Sequence, residues 1–276
     1  MERVIYKKSL TAKMVMAGAD AISVYKILKD ACSSREDVSN RLSFDKETIK
    51  YGKNKIGVIR IARKTLSLYL AIDPKTLEGT NIKYEDVSET KAYVDYPTRI
   101  VLNTKKSIKN ALSLLNKSFN KYKIKEKELE EIDYNNVFYY REFDELLRQG
   151  YIKKYVYRKI DNKKVLVEEK IPSRNVHFTV KLLYCAMNEA DNLFIVTNYN
   201  NWNFKNAVKM NKVSDNLFEA NMTFPEGTNL EFKICRSESF NDVEKGIWKE
   251  EIVNHHYVIG NEDLEIEDLI HNFRLK

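Results

Sequence analysis

The chain has 276 residues, 43% of them hydrophobic and 32% charged, and carries a formal net charge of +7. That balance fits a soluble globular protein of two ordinary domains, or one elaborated domain. No run approaches the roughly 18 apolar residues of a membrane span. The eight glycines are scattered, so no GxGxxG or GxxxxGK loop is present to cradle a nucleotide phosphate.

The first 22 residues place Lys7 and Lys8 before small and apolar residues, as a secretory leader would. Lys13 interrupts them, however, and residues 14–19 fall short of the roughly 7–15 apolar residues of a leader core. The three cysteines, Cys32, Cys185 and Cys235, are odd in number and lack CxxC spacing. Cys185 and Cys235 sit in apolar, strand-like runs and read as small buried hydrophobes. A reduced, cytoplasmic chain is expected. Charge is uneven: residues 1–118 carry an excess of about ten positives and 119–174 about three, whereas 175–276 carry about six negatives. Three regions are expected on this basis. They are an α+β domain over 1–118, a charged helical and hairpin connector over 119–174, and an antiparallel β-sandwich over 175–276.

In chain order, "KSLTAKMVM" reads as a strand. "DAISVYKILKDACS" reads as a helix with Ile22, Tyr25, Ile27, Leu28 and Ala31 on one stripe. Three alternating segments follow, "RLSFDKETIKYG", "KIGVIRIA" and "KTLSLYLAI", the last halted at Asp73-Pro74. Asn103 or Thr104 is placed to cap "KKSIKNALSLLNKSF", with Ile108, Ala111, Leu112 and Leu115 facing inward. "NKYKIKEKELEEIDYNN" is a solvated helix or loose connector. "VFYYREFDELLRQG" predicts an amphipathic helix stopped by Gly150, and "YIKKYVYRKI-DNK-KVLVEEK" predicts a hairpin. From 175 onward about seven short strands alternate with turn signals such as 188–192, 214–216 and "PEGTN", the pattern of a sandwich. The last segment, "LEIEDLIHNF", reads as a strand or a short helix.

One stretch stands apart. "FIVTNYNNWNFKNAVKMNK" sets Trp202 among Asn198, Asn200, Asn201 and Asn203, although an indole normally buries its broad apolar face. The asparagines are turn chemistry at a strand end. There the ring is either folded back as a plug or turned outward to a ligand. The second tryptophan, Trp248 in "GIWKEE", likewise lies in a region of low apolar content.

The order "LFIVTNYNNWNFKNAVKMNK…LFEANMTFPEGTNLEFKICR…EKGIWKEEIVNHHYVI" resembles a starch-binding domain, carbohydrate-binding module family 20. It is also similar to the related family 48 glycogen-binding domain of AMP-activated protein kinase beta subunits. The resemblance covers roughly 175–274 and implies an immunoglobulin-like sandwich. In those families two tryptophans form a platform for the glucan, while a lysine and an asparagine hydrogen-bond its hydroxyls. By position these are Trp202, Trp248, Lys233 of "LEFK" and Asn254 of "IVNHHY". The chain departs from the family 20 motif in one extra residue between Trp248 and Asn254, and in His255 standing for the usual arginine. Tyr199 either packs beneath its loop or meets ligand.

The implied role is non-catalytic binding of α-1,4-glucan, starch or stored glycogen, which tethers the N-terminal domain to the polymer. Such a polymer is neutral, so an acidic module can hold it. Flat indoles cover the C–H faces of the sugars while amides and an ammonium meet the hydroxyl rim. Lys233, between Phe232 and Ile234, points away from both, onto a binding surface or into solvent.

Other chemistry finds little support. His177, His255, His256 and His271 show no HxH or HExxH spacing, so neither a metal nor any other cofactor is expected. Glu250-Glu251 beside Trp248 reads as acidic surface, because glycoside hydrolysis needs two carboxylates across a cleft. Lys50, Lys53, Lys55, Arg60, Arg63 and Lys64 form either a solvated basic face or a footprint for a polyanion. A glucan-directed enzyme or a nucleic-acid binder acting through that N-terminal region is the alternative reading. No membrane partner is expected.

Overall fold

The computed structural model describes residues 4–129, 132, 134–160, 163–183, 186 and 190–274. The chain is mostly β and divides into two compact units, Met1–Glu168 and Glu169–Lys276. Among the described residues, no helix is long and apolar enough to cross a membrane.

The first unit opens with β1 (Val4–Lys8), then α1 (Leu10–Ala17) and α2 (Ala19–Ser33). The segment expected as a strand, "KSLTAKMVM", is therefore largely helix. Ser9 Oγ accepts the Ala12 amide at 3.0 Å as an N-cap. The Leu, Ala and Met that follow have high helix propensity. Strands β2 (Val38–Leu42), β3 (Glu47–Tyr51), β4 (Asn54–Ala62), β5 (Thr65–Leu70), β6 (Glu85–Asp86) and β7 (Thr98–Val101) form a six-stranded antiparallel sheet, ordered β2-β3-β4-β5-β7-β6. The single expected strand "RLSFDKETIKYG" is thus the hairpin of β2 and β3.

Helix α3 (Lys105–Lys121) is capped by Thr104, whose Oγ1 accepts from the Ser107 amide while Ser107 Oγ accepts from the Thr104 amide. One core joins α1, α2 and α3 to the sheet through Leu10, Met14, Leu28, Ile59, Leu68 and Phe119. Ile27, expected on the buried stripe of α2, is 41% exposed.

Residues 119–168 fall in the first compact unit and 169–174 in the second. A single turn, α4 (Tyr134–Val137), and a short α5 (Phe143–Arg148) replace the long helix expected there. Gly150, at φ +74°, follows α5 in a conformation that L side chains rarely adopt. β8 (Ile152–Ile160) then pairs with β1 and neighbours β9 (Lys163–Glu169), so the hairpin belongs to a three-stranded sheet with the start of the chain. The hairpin's expected turn at 161–162 lies outside the described residues.

The second unit holds β10 (Ser173–Leu182), β11 (Phe194–Thr197), β12 (Val208–Lys209), β13 (Asn211–Ser214), β14 (Leu217–Pro225), β15 (Asn229–Cys235), β16 (Glu244–Lys245), β17 (His255–Val258), β18 (Leu264–Ile270) and β19 (Asn272–Phe273). Two four-stranded sheets, β13-β14-β10-β18 and β12-β11-β15-β17, enclose one core of Phe178, Phe218, Phe232, Ile195, Ile234 and Ile266. A small ladder of β16 and β19 closes one part of the unit. The antiparallel expectation fails at one pair. β18 runs parallel to β10, with Val176 opposite Leu264 and Leu182 opposite Ile270. That pairing joins segments about 90 residues apart in sequence, and local alternation carries no information about it. The closing "LEIEDLI" is strand, not helix.

Buried Cys32 and Cys235 carry thiols pushed up to about 12 by desolvation, in keeping with inert core sulfurs. Cys185, and much of the turn expected at 188–192, lie outside the described residues.

Candidate functional site

The asparagine cluster after β11 is occupied in shaping its own loop. Thr197 Oγ1 accepts from the Asn200 amide and Asn200 Oδ1 accepts from the Thr197 amide, both at 3.3 Å. Asn200 Nδ2 donates to the Asn206 carbonyl at 3.0 Å. Asn198 latches the loop to β15, donating to the Asn229 carbonyl at 2.9 Å and accepting the Glu231 amide at 3.0 Å. Asn203 Oδ1 accepts from the Lys205 amide. These side chains answer the question the cluster posed: they are Asx-type braces.

Two successive residues of the braced loop, Asn201 and Trp202, are left-handed at φ 60° and 56°. For a bulky residue that conformation costs about 1–3 kcal/mol, and it is held here by the Trp202 amide donating to the Thr197 carbonyl at 2.9 Å. The indole is half-buried against Val196, Cys235 and Val243. Phe240 lies beside it, ring centroids 6.4 Å apart, and packs edge-on to Phe204 at 4.7 Å.

Trp248 is its opposite, 86% exposed in the loop between β16 and β17. That loop is nonetheless constrained. Glu250 folds back so that its Oε2 accepts the Trp248 amide at 2.8 Å, and its carbonyl accepts the Gly246 amide at 3.1 Å. A Cβ at Gly246 would stand 2.0 Å from the Glu250 carboxylate, so any larger residue there would push that carboxylate out of its place. Ile247 and Val253, in the same loop, are also exposed, at 55% and 87%. The sequence reading missed them, although "GIW" and "IV" inside an acidic loop were the available signal.

Lys233 is buried, and its ammonium is engaged. It donates to the Ile252 carbonyl at 2.7 Å and the Val253 carbonyl at 2.9 Å. Burial holds its pKa below the usual lysine value, against the opposing pull of Glu244 and Glu251. Its side chain does point away from Phe232 and Ile234, but that face is roofed by the loop it pins, so the ammonium meets neither open surface nor solvent. Lys233 is the register partner of Val196, on which Trp202 rests. Cross-strand partners project from the same side of a sheet. Both indole-bearing loops are therefore anchored on the outer face of β11 and β15.

Asn254 is exposed, with Nδ2 donating to Glu231 Oε2 at 3.0 Å. Tyr199 packs T-shaped on Phe224, centroids 5.4 Å apart, against the sandwich core. The four polar or platform candidates thus separate by role: Trp202, Trp248 and Asn254 reach the surface wholly or in part, whereas Lys233 works from beneath.

In the first unit, burial raises the pKa of several tyrosines, Tyr69 to about 12 among them. Burial lifts Tyr134 to about 12, and burial with the neighbouring Glu47 raises Tyr25 further; Tyr25 Oη donates to Glu47 at 2.5 Å. The basic face is partly neutralised: Lys55 pairs with Asp95 at 2.5 Å, and Arg60 pairs with Asp45.

The second unit is thus a two-sheet unit with a largely antiparallel framework, with one indole half-buried and the other exposed. Residues 173–267 match the family model of the starch binding domain, CBM_20. No curated protein matches the chain. Among solved structures, similar chains include the family 15 glucoamylase of Hypocrea jecorina, at 18% identity and TM-score 0.28 over 38% of this chain and 18% of that one. The glucoamylase of Hormoconis resinae aligns at 16% identity and TM-score 0.29 over 40% of this chain and 19% of its own. The gamma-CGTase of alkalophilic Bacillus clarkii aligns at 20% identity and TM-score 0.29 over 45% and 19%. The chain thus spans about a fifth of the length of each of these enzymes.

Proposed function

We propose that the second unit binds α-1,4-glucan without catalysis, through a platform formed by Trp202 and Trp248, and so tethers the first unit to starch or glycogen. One observation carries the reading: within the stretch that matches the starch binding domain, a tryptophan stands 86% exposed on a loop that is itself braced. An open indole on a loop that also exposes Ile247 and Val253 does little for the fold, and its flat face suits the C–H face of a glucose ring. Trp202 supplies a fixed second wall, and Asn254 offers an amide to the hydroxyl rim. Lys233 contributes by holding the Trp248 loop in place.

A shallow site of this kind encloses little of each sugar. An affinity of about −5.5 kcal/mol, a Kd of roughly 0.1 mM, is expected for a short oligosaccharide. Repeated sites on a long chain would raise the apparent value. The test is co-sedimentation with insoluble starch and with glycogen over a salt series. Retention that barely changes with salt supports the proposal. Absence of retention on both polymers overturns it. A steep loss with salt, together with retention on nucleic acid, points instead to the basic face of the first unit.

A further inference from the structure

Three titratable groups meet inside the second unit, beside the Lys233 ammonium, whose positive charge acts on all three. Glu244 of β16, His255 of β17 and Asp268 of β18 bring Oε2, Nε2 and Oδ2 within 4.8 Å of one another. Nε2 lies 3.1 Å from the Glu244 oxygen and 3.2 Å from the Asp268 oxygen. The glutamate side chain is 2% exposed, while the histidine and aspartate are 21% and 17% exposed. The glutamate is the most deeply buried of the three, and the Asp268 Oδ2 atom is itself buried.

Each group is held from behind. Glu244 Oε1 accepts the Ile234 amide at 2.8 Å, the His255 ring stacks on Phe232 with centroids 4.8 Å apart, and Asp268 Oδ1 accepts the Leu269 amide at 2.8 Å. Such outer contacts fix donor atoms in place. One atom is left over. A proton on Nε2 can serve a single oxygen, and the ring is directed at Glu244. Asp268 Oδ2 is buried with no hydrogen-bond partner among the described residues. An unpaired buried carboxylate oxygen is costly.

We propose that these three residues form a site for a divalent transition metal ion of the zinc type. A tetrahedral ion with bonds of about 2.0–2.1 Å to nitrogen and oxygen spaces its ligands about 3.3 Å apart, close to the two distances from Nε2, within a triad whose atoms all lie within 4.8 Å of one another. One imidazole with two carboxylates is a donor set such an ion accepts, and two negative charges neutralise it. The ion would meet all three atoms at once, including the oxygen that a proton leaves unserved.

The test uses the full chain, stripped with a chelator and titrated with Zn2+ in competition with a chromophoric indicator at pH 7.5. One ion per chain at micromolar or tighter Kd is expected, with a higher unfolding temperature. His255→Arg should fold, keep starch retention, and lose Zn2+ affinity by at least 100-fold, and Asp268→Asn should lose at least tenfold. His256→Gln and His271→Gln should bind as the wild type does. A second readout needs no variant: Co2+ added to the wild-type chain should give the visible bands of a tetrahedral nitrogen–oxygen site. Absence of saturable Zn2+ binding overturns the proposal, as does unchanged binding in His255→Arg. Either result would mean that a proton alone bridges the cluster.

Discussion

The two tryptophan loops solve one problem in opposite ways. The loop at 198–206 spends its polar side chains on itself: Asn198, Asn200 and Asn203 each brace backbone, and Trp202 is pressed half-buried onto Val196, Cys235 and Val243. The loop at 246–254 is held by Glu250 folded under it, by Lys233 on the Ile252 and Val253 carbonyls, by Asn272 on the Gly246 and Ile247 carbonyls and by Glu251 on Arg274, yet it leaves Trp248 almost wholly in water. The first indole is part of the fold and is available only at its open side. The second contributes little to the fold and is available entirely. Stability and recognition should therefore separate between them, and substitution can measure how far.

The largest effect on binding is expected at Trp248→Ala. Glucan affinity should fall by at least tenfold, about 1.4 kcal/mol, while unfolding stability stays within about 0.5 kcal/mol, as for other exposed positions. Calorimetric titration with a maltooligosaccharide and a denaturant melt give the two numbers. Trp202→Ala should lower both, with stability down by about 1–3 kcal/mol from lost apolar burial. Comparable stability loss in the two variants would erase the contrast between the loops.

Lys233→Met comes next. It strands the Ile252 and Val253 carbonyls at a cost of about 1–3 kcal/mol, and it should weaken glucan binding only through loosening of the Trp248 loop. Faster amide exchange across 247–254 in that variant would report the loosening. A variant that loses binding with exchange unchanged would return Lys233 to direct sugar contact. Gly246→Ala should act similarly but less, because the added methyl displaces the Glu250 carboxylate from beneath Trp248. Asn254→Ala should have the smallest effect, a few-fold in affinity, read in the same titration.

How much of this was legible in the sequence depends on distance along the chain. The turn character of the Asn-rich loop, the Thr104 cap and the strand alternation around Lys233 are local properties and could be read. Alternation told which way Lys233 points. It could not tell that the backbone of Ile252 and Val253 passes over that face to receive the ammonium. The parallel register of β18 on β10 was equally out of reach. So was the meeting of Glu244, His255 and Asp268, because motif spacing sees neighbours in sequence, whereas these three come from three strands. In the first unit, "KSLTAKMVM" misled because strand and helix share short apolar runs, and the Ser9 cap and the helix-forming Leu, Ala and Met after it were the signals for helix.

The most direct measurement is calorimetric titration of a soluble maltooligosaccharide into the wild-type chain and into Trp248→Ala, at equal concentration and after both are shown to unfold at the same temperature. Saturable heat near 0.1 mM in the former, lost or shifted at least tenfold in the latter, is the predicted result. Identical isotherms from the two proteins would contradict a glucan platform built on the exposed indole.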